Sequence, residues 1–215
     1  DGNYLLVTDE ENHCVRKITR PPGSDKNILE DSYSQVETVA GVCGSLSVSH
    51  MNKFKVPKGI SIHPSGLYFL VVDSGSRQIK KVSLKDTNTW NSTSRTISVM
   101  SGSGVHGYKE GHGYHSKFND LYDVDIDLTG TFALVTDKGN CEVRKIYLHD
   151  KRSETLSGTP LTCGYQNGYQ NEGLLTEPSA IVIDPSQGLY AIVMDGSTSR
   201  KLILDSSTIP SYRYV

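Results

Sequence analysis

No run of apolar residues in this sequence approaches the length needed to span a bilayer, so it offers no candidate membrane helix. Charge of one sign is not in excess either, with 22 basic side chains against 24 acidic ones, and a nucleic-acid partner is therefore disfavoured. Helical periodicity of useful length is missing. So are a Ser-His-Asp order, a nucleophile elbow and a phosphate-binding loop. The N-terminus, Asp1-Gly2, carries neither an initiator Met nor a signal-peptide pattern. Because those residues already lie inside a repeat, the chain reads as a fragment of a longer polypeptide.

What the sequence does contain is a unit used four times. Gly130 to Ile146 reads as a strand, a tight polar turn and a second strand. Gly2 to Ile18 and Gly66 to Val82 repeat it, and Gly188 to Leu202 reads as a decayed copy with a shortened last strand. Gly2, Gly66 and Gly130 are spaced by 64 residues and Gly130 to Gly188 by 58, and each Gly is followed seven residues later by Asp9, Asp73, Asp137 or Asp195. Periods of this size in a strand-rich sequence indicate stacked blades rather than a helical solenoid.

Each copy parses into up to four strands. The inner ones are Gly59–His63, Asp123–Asp127 and Ala180–Asp184. Second strands run over Tyr4–Thr8, Tyr68–Val72, Phe132–Thr136 and Tyr190–Met194, and their near-continuous apolarity predicts cover on both faces. Third strands carry the Val-Arg-Lys-Ile type pattern. Outer strands are expected at Gln35–Val39, Thr96–Val99, Glu154–Leu156 and Tyr212–Val215. The first copy lacks an inner strand, which gives fifteen candidate strands in an all-β β-propeller of four-stranded antiparallel blades, over about 1–41, 57–101, 120–158 and 178–215.

Four cysteines fall at informative places. Cys14 and Cys141 sit at the turn or start of a third strand, and Cys43 and Cys163 follow the outer strand that pairs with it. The end of one strand of a hairpin lies beside the start of the other, so Cys14–Cys43 and Cys141–Cys163 are both within reach of a disulfide. Asn91-Ser92-Thr93 is an N-glycosylation sequon. Together these signals favour an extracellular or cell-surface location.

Phe54, Pro57, Gly59-Ile60, Gly66, Asp73, Ser76 and Lys80-Lys81-Val82 form one set of landmarks, and Phe118, Gly130, Asp137, Asn140 and Arg144-Lys145-Ile146 another. This pattern resembles the NHL-repeat β-propellers over nearly the whole chain. It departs from them where Leu121 and Asp123 replace Pro and Gly in the third copy and where Thr198-Ser199-Arg200 closes the fourth, so those two blades are expected to be distorted. The family usually closes with six blades, which implies that the four seen here are an arc of a larger ring. The family includes enzymes, RNA binders and protein-binding platforms, so the likeness alone implies no function.

The repeated Asp with Asn three residues later (Asp9/Asn12, Asp137/Asn140) reads as turn capping. Arg16, Lys80 and Arg144 recur in phase with it and are expected to form inter-strand or inter-blade ion pairs. Phe54, Phe118 and Leu175 read as anchors plugging the seams between blades. His106, His112 and His115 in one loop, followed by Asp123, Asp125 and Asp127 along one strand, hold donors for a metal but without a defensible ligand spacing, and the aspartates equally fit the lining of a wet channel. The positions equivalent to Asp127 are His63 and Asp184, with no paired general acid and base. No cofactor is expected.

Recognition is expected in the Gly/Tyr-rich loops between blades, placed by strand order at one end of the molecule. There Tyr108, His112, Tyr114, Tyr165 and Tyr169 stand among Gly, Ser, Gln and Asn, a composition suited to binding a protein or glycan partner. The partner could also be a copy of the chain or further blades of the same polypeptide. A metal-dependent lyase or lactonase of propeller type is the alternative.

Overall fold

A computed structural model of the chain describes residues 4–19, 34–44, 53–84, 96–168 and 172–204. The sequon at Asn91, Tyr169, the expected outer strand Tyr212–Val215 and the interior of the 19–34 loop lie outside the described residues. The rest forms four antiparallel sheets in chain order. The first contains β1 (Tyr4–Asp9), β2 (Cys14–Thr19) and β3 (Gln35–Gly41). The second contains β4 (Pro57–Ile62), β5 (Tyr68–Asp73), β6 (Gln78–Ser83) and β7 (Ile97–Ser101). The third contains β9 (Leu121–Ile126), β10 (Phe132–Asp137), β11 (Glu142–Tyr147) and β12 (Arg152–Ser157), and gains an unexpected two-residue strand, β8 (Gly111–His112), on the outer side of β12. The fourth contains β13 (Pro178–Ile183), β14 (Tyr190–Asp195) and β15 (Thr198–Ile203).

Two expectations of distortion are corrected. β15 is a full six-residue strand in register with β14 from Asp195↔Thr198 to Tyr190↔Ile203. The third blade keeps the same geometry as its neighbours. In each of the second, third and fourth blades the inner strand carries one extra residue just after the position facing the repeat Asp (Pro57↔Asp73, Leu121↔Asp137, Pro178↔Asp195). A bulge at that point bends the strand locally, and the missing N–H of a Pro is tolerated at the first strand position, so Leu121 serves equally well.

Seams between blades hold the core. Leu6, Val15, Val39 and Ala40 of the first blade meet Phe69, Val71 and Val82 of the second around Phe54. Leu70, Val72 and Ile79 meet Val124, Ala133, Val135 and Ile146 around Phe118, and Leu134 and Val143 meet Ile181, Ala191 and Val193 around Leu175. All three anchors are buried as expected, at 4%, 0% and 2% exposure. β5 and β10 are covered on both faces. β1 and β14 are not: alternate residues of each face outward, including Leu5, Val7 and Met194.

Candidate functional site

The landmarks of the repeat converge on a clamp. Asp73 accepts the amides of Lys55 (2.9 Å) and Val56 (2.8 Å), Asp137 accepts that of Asn119 (3.1 Å), and Asp195 accepts those of Thr176 and Glu177 (2.7 Å each). These are the residues immediately after the three anchors. The in-phase cation completes the arrangement. Lys80 pairs with Asp73 at 2.6 Å and donates to the carbonyl of Lys53; Arg200 pairs with Asp195 at 3.2 Å and donates to that of Leu174; Arg144 lies 4.0 Å from Asp137 and donates to that of Lys117. Each donation reaches the carbonyl just before an anchor, so carboxylate and cation together hold the anchor's backbone from both sides.

This corrects the capping assignment. Asp73 and Asp137 make no cap bond to their own turns; Ser76 and Asn140 do return a bond to them, at 2.7 Å each. The ion pairs are inter-strand pairs within one blade, and Arg16 makes none among the described residues, where it donates to the sulfur of Cys43. Both expected disulfides are present, with Cα–Cα separations of 5.1 Å for Cys14–Cys43 and 5.3 Å for Cys141–Cys163. Cys14 begins a strand, whereas Cys141 lies one position earlier, in left-handed conformation after the turn.

Asp123 and Asp125 are taken up by hydrogen bonds to the neighbouring blades. Asp123 accepts the amide of Ile181 (3.0 Å), and Asp125 accepts that of Ile183 (2.8 Å) and the hydroxyl of Ser61 (3.0 Å). They tie the inner strand of the third blade to both neighbours. Burial raises the Asp123 carboxyl above its usual range. Asp127, His63 and Asp184 are occupied locally. Asp127 accepts the amides of Thr129, Thr131 and Phe132, His63 contacts Ser65 and the carbonyl of Gly130, and Asp184 accepts from Ser186. Among the described residues no three His, Cys, Asp or Glu side chains are grouped as metal ligands, and His106, His112 and His115 do not converge.

The four expected recognition residues that are described, Tyr108, His112, Tyr114 and Tyr165, separate. Tyr108 is half-buried: its hydroxyl lies 3.3 Å from both Glu110 and Thr155, and its ring faces the Arg144 guanidinium at 5.1 Å. The cluster beneath it was not legible in sequence. Arg144, fully buried, lies 3.5 Å from Glu142, whose other oxygen accepts from Thr155 at 2.6 Å. Burial pushes Glu142 up to about 7 and Asp137 up to about 6.

Rather than staying at one end of the blade, the loop after β7 runs along the outer edge of the third blade. His112, exposed, pairs through β8 with Arg152 and contacts the carbonyl of Asp150. Tyr114 is 62% exposed and Tyr165 66%, the latter with the Arg200 guanidinium 4.8 Å from its ring. A shallow groove between the outer parts of the second and third blades, lined by Lys81, Ser98, Met100, His149 and Lys151, is a further feature that sequence did not indicate.

No family model and no curated protein matches the chain. Solved structures do. A protein of unknown function from Bacteroides thetaiotaomicron is 16% identical with a TM-score of 0.69, over 94% of this chain and 44% of its own. An auxiliary nutrient binding protein from the same organism is 16% identical with a TM-score of 0.64, over 90% and 43%. A candidate 6-phosphogluconolactonase from Bacteroides uniformis is 11% identical with a TM-score of 0.55, over 97% of this chain and 49% of its own. Such likenesses show a propeller-like fold, and the chain spans about half the length of these structures or less.

Proposed function

We propose that the chain is an NHL-like arc of an extracellular or cell-surface propeller that binds a protein or glycan partner through its inter-blade loops. The blades would span about 1–41, 57–101, 120–158 and 178–215. The observation that carries this reading is the division of labour among the polar residues. In the second, third and fourth blades the repeat's carboxylates and cations are committed to backbone clamps, whereas Tyr114 and Tyr165 leave most of their surface in solvent. A rigid aromatic ring beside adaptable polar neighbours contributes contact area at low entropic cost. Two disulfides support an oxidising compartment, and no helix among the described residues is long and apolar enough to cross a membrane.

The structural neighbours support both binding and enzymatic readings, since one is a nutrient binding protein and another a candidate lactonase. The occupied state of His63, Asp127 and Asp184 favours binding over a lyase or lactonase. The test is a screen of the purified chain against arrays of secreted proteins and of glycans, with the Tyr114→Ala/Tyr165→Ala variant alongside. A ligand bound by the parent and lost in the variant supports the reading. Equal binding by both removes these loops from it.

A further inference from the structure

The third strand of every blade carries a lysine at one register position. Lys17 pairs with Leu6, Lys81 with Leu70, Lys145 with Leu134 and Lys201 with Ile192. Each ammonium lies over the aromatic ring that opens the second strand, at 5.1 Å for Tyr4, 3.9 Å for Tyr68, 4.3 Å for Phe132 and 4.2 Å for Tyr190. The blades differ in the outer-strand residue that faces this lysine. It is Glu37 in the first and Glu154 in the third, but Ser98 in the second. Lys17 pairs with Glu37 at 3.5 Å, and Lys145 stands beside a carboxylate that Arg152 and Tyr147 also bind. Among the described residues no carboxylate lies within ion-pairing distance of Lys81.

Lys81 and Ser98 line the groove between the second and third blades, whose volume is about 470 Å³. The third blade contributes Leu148, His149 and Lys151 from the turn between β11 and β12. Lys151 is exposed and, among the described residues, also has no carboxylate within ion-pairing distance. No acid is among the lining residues. Asp150, the acid nearest in sequence, lies 3.6 Å from His149 and accepts the amide of Arg152 at 2.9 Å. The whole chain is close to neutral, with 22 basic residues against 24 acidic ones, so this excess of positive charge is local. Two cations without a counter-charge in a concave site raise the local concentration of anions. Exposed Ser98 and Thr96 add hydroxyls that can donate and accept.

We propose that this groove binds an acidic saccharide, a small sugar that carries a sulfate, phosphate or carboxylate group. Lys81 and Lys151 take the anionic group, Ser98 and Thr96 bond the ring hydroxyls, and Leu148 with the His149 ring supports the apolar face of the sugar. The exchange of Glu for Ser at position 98 does two things at once: it leaves the lysine without its cross-strand acid and supplies a hydroxyl beside it. An acidic peptide fits less well. Peptide recognition needs pockets for side chains, whereas the largest apolar residue of the β7 wall, Met100, is 2% exposed and offers none. The two disulfides point to the compartment in which sulfated and uronic sugars are displayed.

The groove shares no residue with Tyr114 and Tyr165, so its failure leaves the loop reading untouched. The test is an amide-resolved NMR titration of the purified chain with N-acetylglucosamine 6-sulfate, glucose 6-phosphate and glucuronate. N-acetylglucosamine, sodium sulfate and a Glu-rich hexapeptide are titrated alongside. At least one acidic sugar should shift the amides of 96–100 and 148–151 to saturation, with the neutral sugar and sulfate alone at least about tenfold weaker. Ser98→Glu installs the acid that the first and third blades hold at this place. It should weaken the acidic sugar about tenfold or more while leaving the melting temperature unchanged or higher. Tyr114→Ala/Tyr165→Ala should bind the sugar as the parent does. No shift in these segments with any acidic sugar overturns the proposal, as does binding indifferent to Ser98→Glu. Sulfate binding as tightly as the sugars means an adventitious ion only, and tighter binding of the hexapeptide assigns the groove to an acidic peptide instead.

Discussion

Glu142 and Asp137 share one buried cation, and the cost of that arrangement should be visible as pH dependence. Both carboxyls are held above their ordinary values, chiefly by burial, at about 7 and about 6. A carboxyl whose folded value is raised keeps its proton in the native state at pH values where the unfolded chain has released it. Stability is then fully present below the unfolded value and falls as pH rises through the folded one. The urea midpoint should therefore decrease between about pH 5 and about pH 7 and level off above, and Glu142→Gln should flatten the decline. A midpoint that rises across this window contradicts the assignment. Asp127 and Asp184 are shifted the other way, Asp184 by its hydrogen bonds to Ser186 and Asp127 by bonds that outweigh its burial, so their contribution is lost only in more acid solution. None of this was readable from residue type. Glu142 follows Cys141 in a stretch that looks like ordinary turn chemistry, and only the β-register places it beneath Tyr108 and beside Arg144.

Among the elements, the seams and inner strands decide stability. Phe118 is fully buried in the seam between the second and third blades, and Phe118→Ala should cost about 3–5 kcal/mol by chemical denaturation. Gly59 is needed for space: a Cβ there would lie 2.4 Å from the Asp123 carboxylate and 2.5 Å from its Cα. Gly59→Ala should cost about 1–3 kcal/mol through displacement of β9, with the loss concentrated at the seam that Asp125 bridges to Ser61. A neutral Gly59→Ala would mean that the two inner strands do not approach this closely. Strands, anchors and both disulfide pairs were legible because a repeat shows each landmark several times, and a landmark's meaning is fixed by its phase. The role of Asp123 and Asp125 was not legible for the converse reason. Gly59/Ser61 and Ala180/Val182 hold those places in the neighbouring blades, so the carboxylate bridges occur once. Alternating aspartates suggested ligands, while the donors they accept from are backbone amides of the fourth blade and the Ser61 hydroxyl of the second.

At the scale of the whole molecule, two disulfides close loops in the first and third blades, with separations of 29 and 22 residues. Removing either by Cys→Ser at both positions should cost about 2–4 kcal/mol, and the loss should appear as earlier unfolding of the blade concerned. The two readings of function assign the binding surface to different parts of the arc. Recognition by loops puts it on residues 107–115 and 165–168, where the exposed tyrosines stand; catalysis puts it at the inner hairpins of His63, Asp127 and Asp184. Hydrogen exchange over the full chain, measured with and without a ligand taken from the array screen, separates them most directly. Recognition by the loops predicts new protection in 107–115 and 165–168, with the inner hairpins unchanged. Protection confined to the hairpins at 63–68, 127–132 and 184–190 would contradict it.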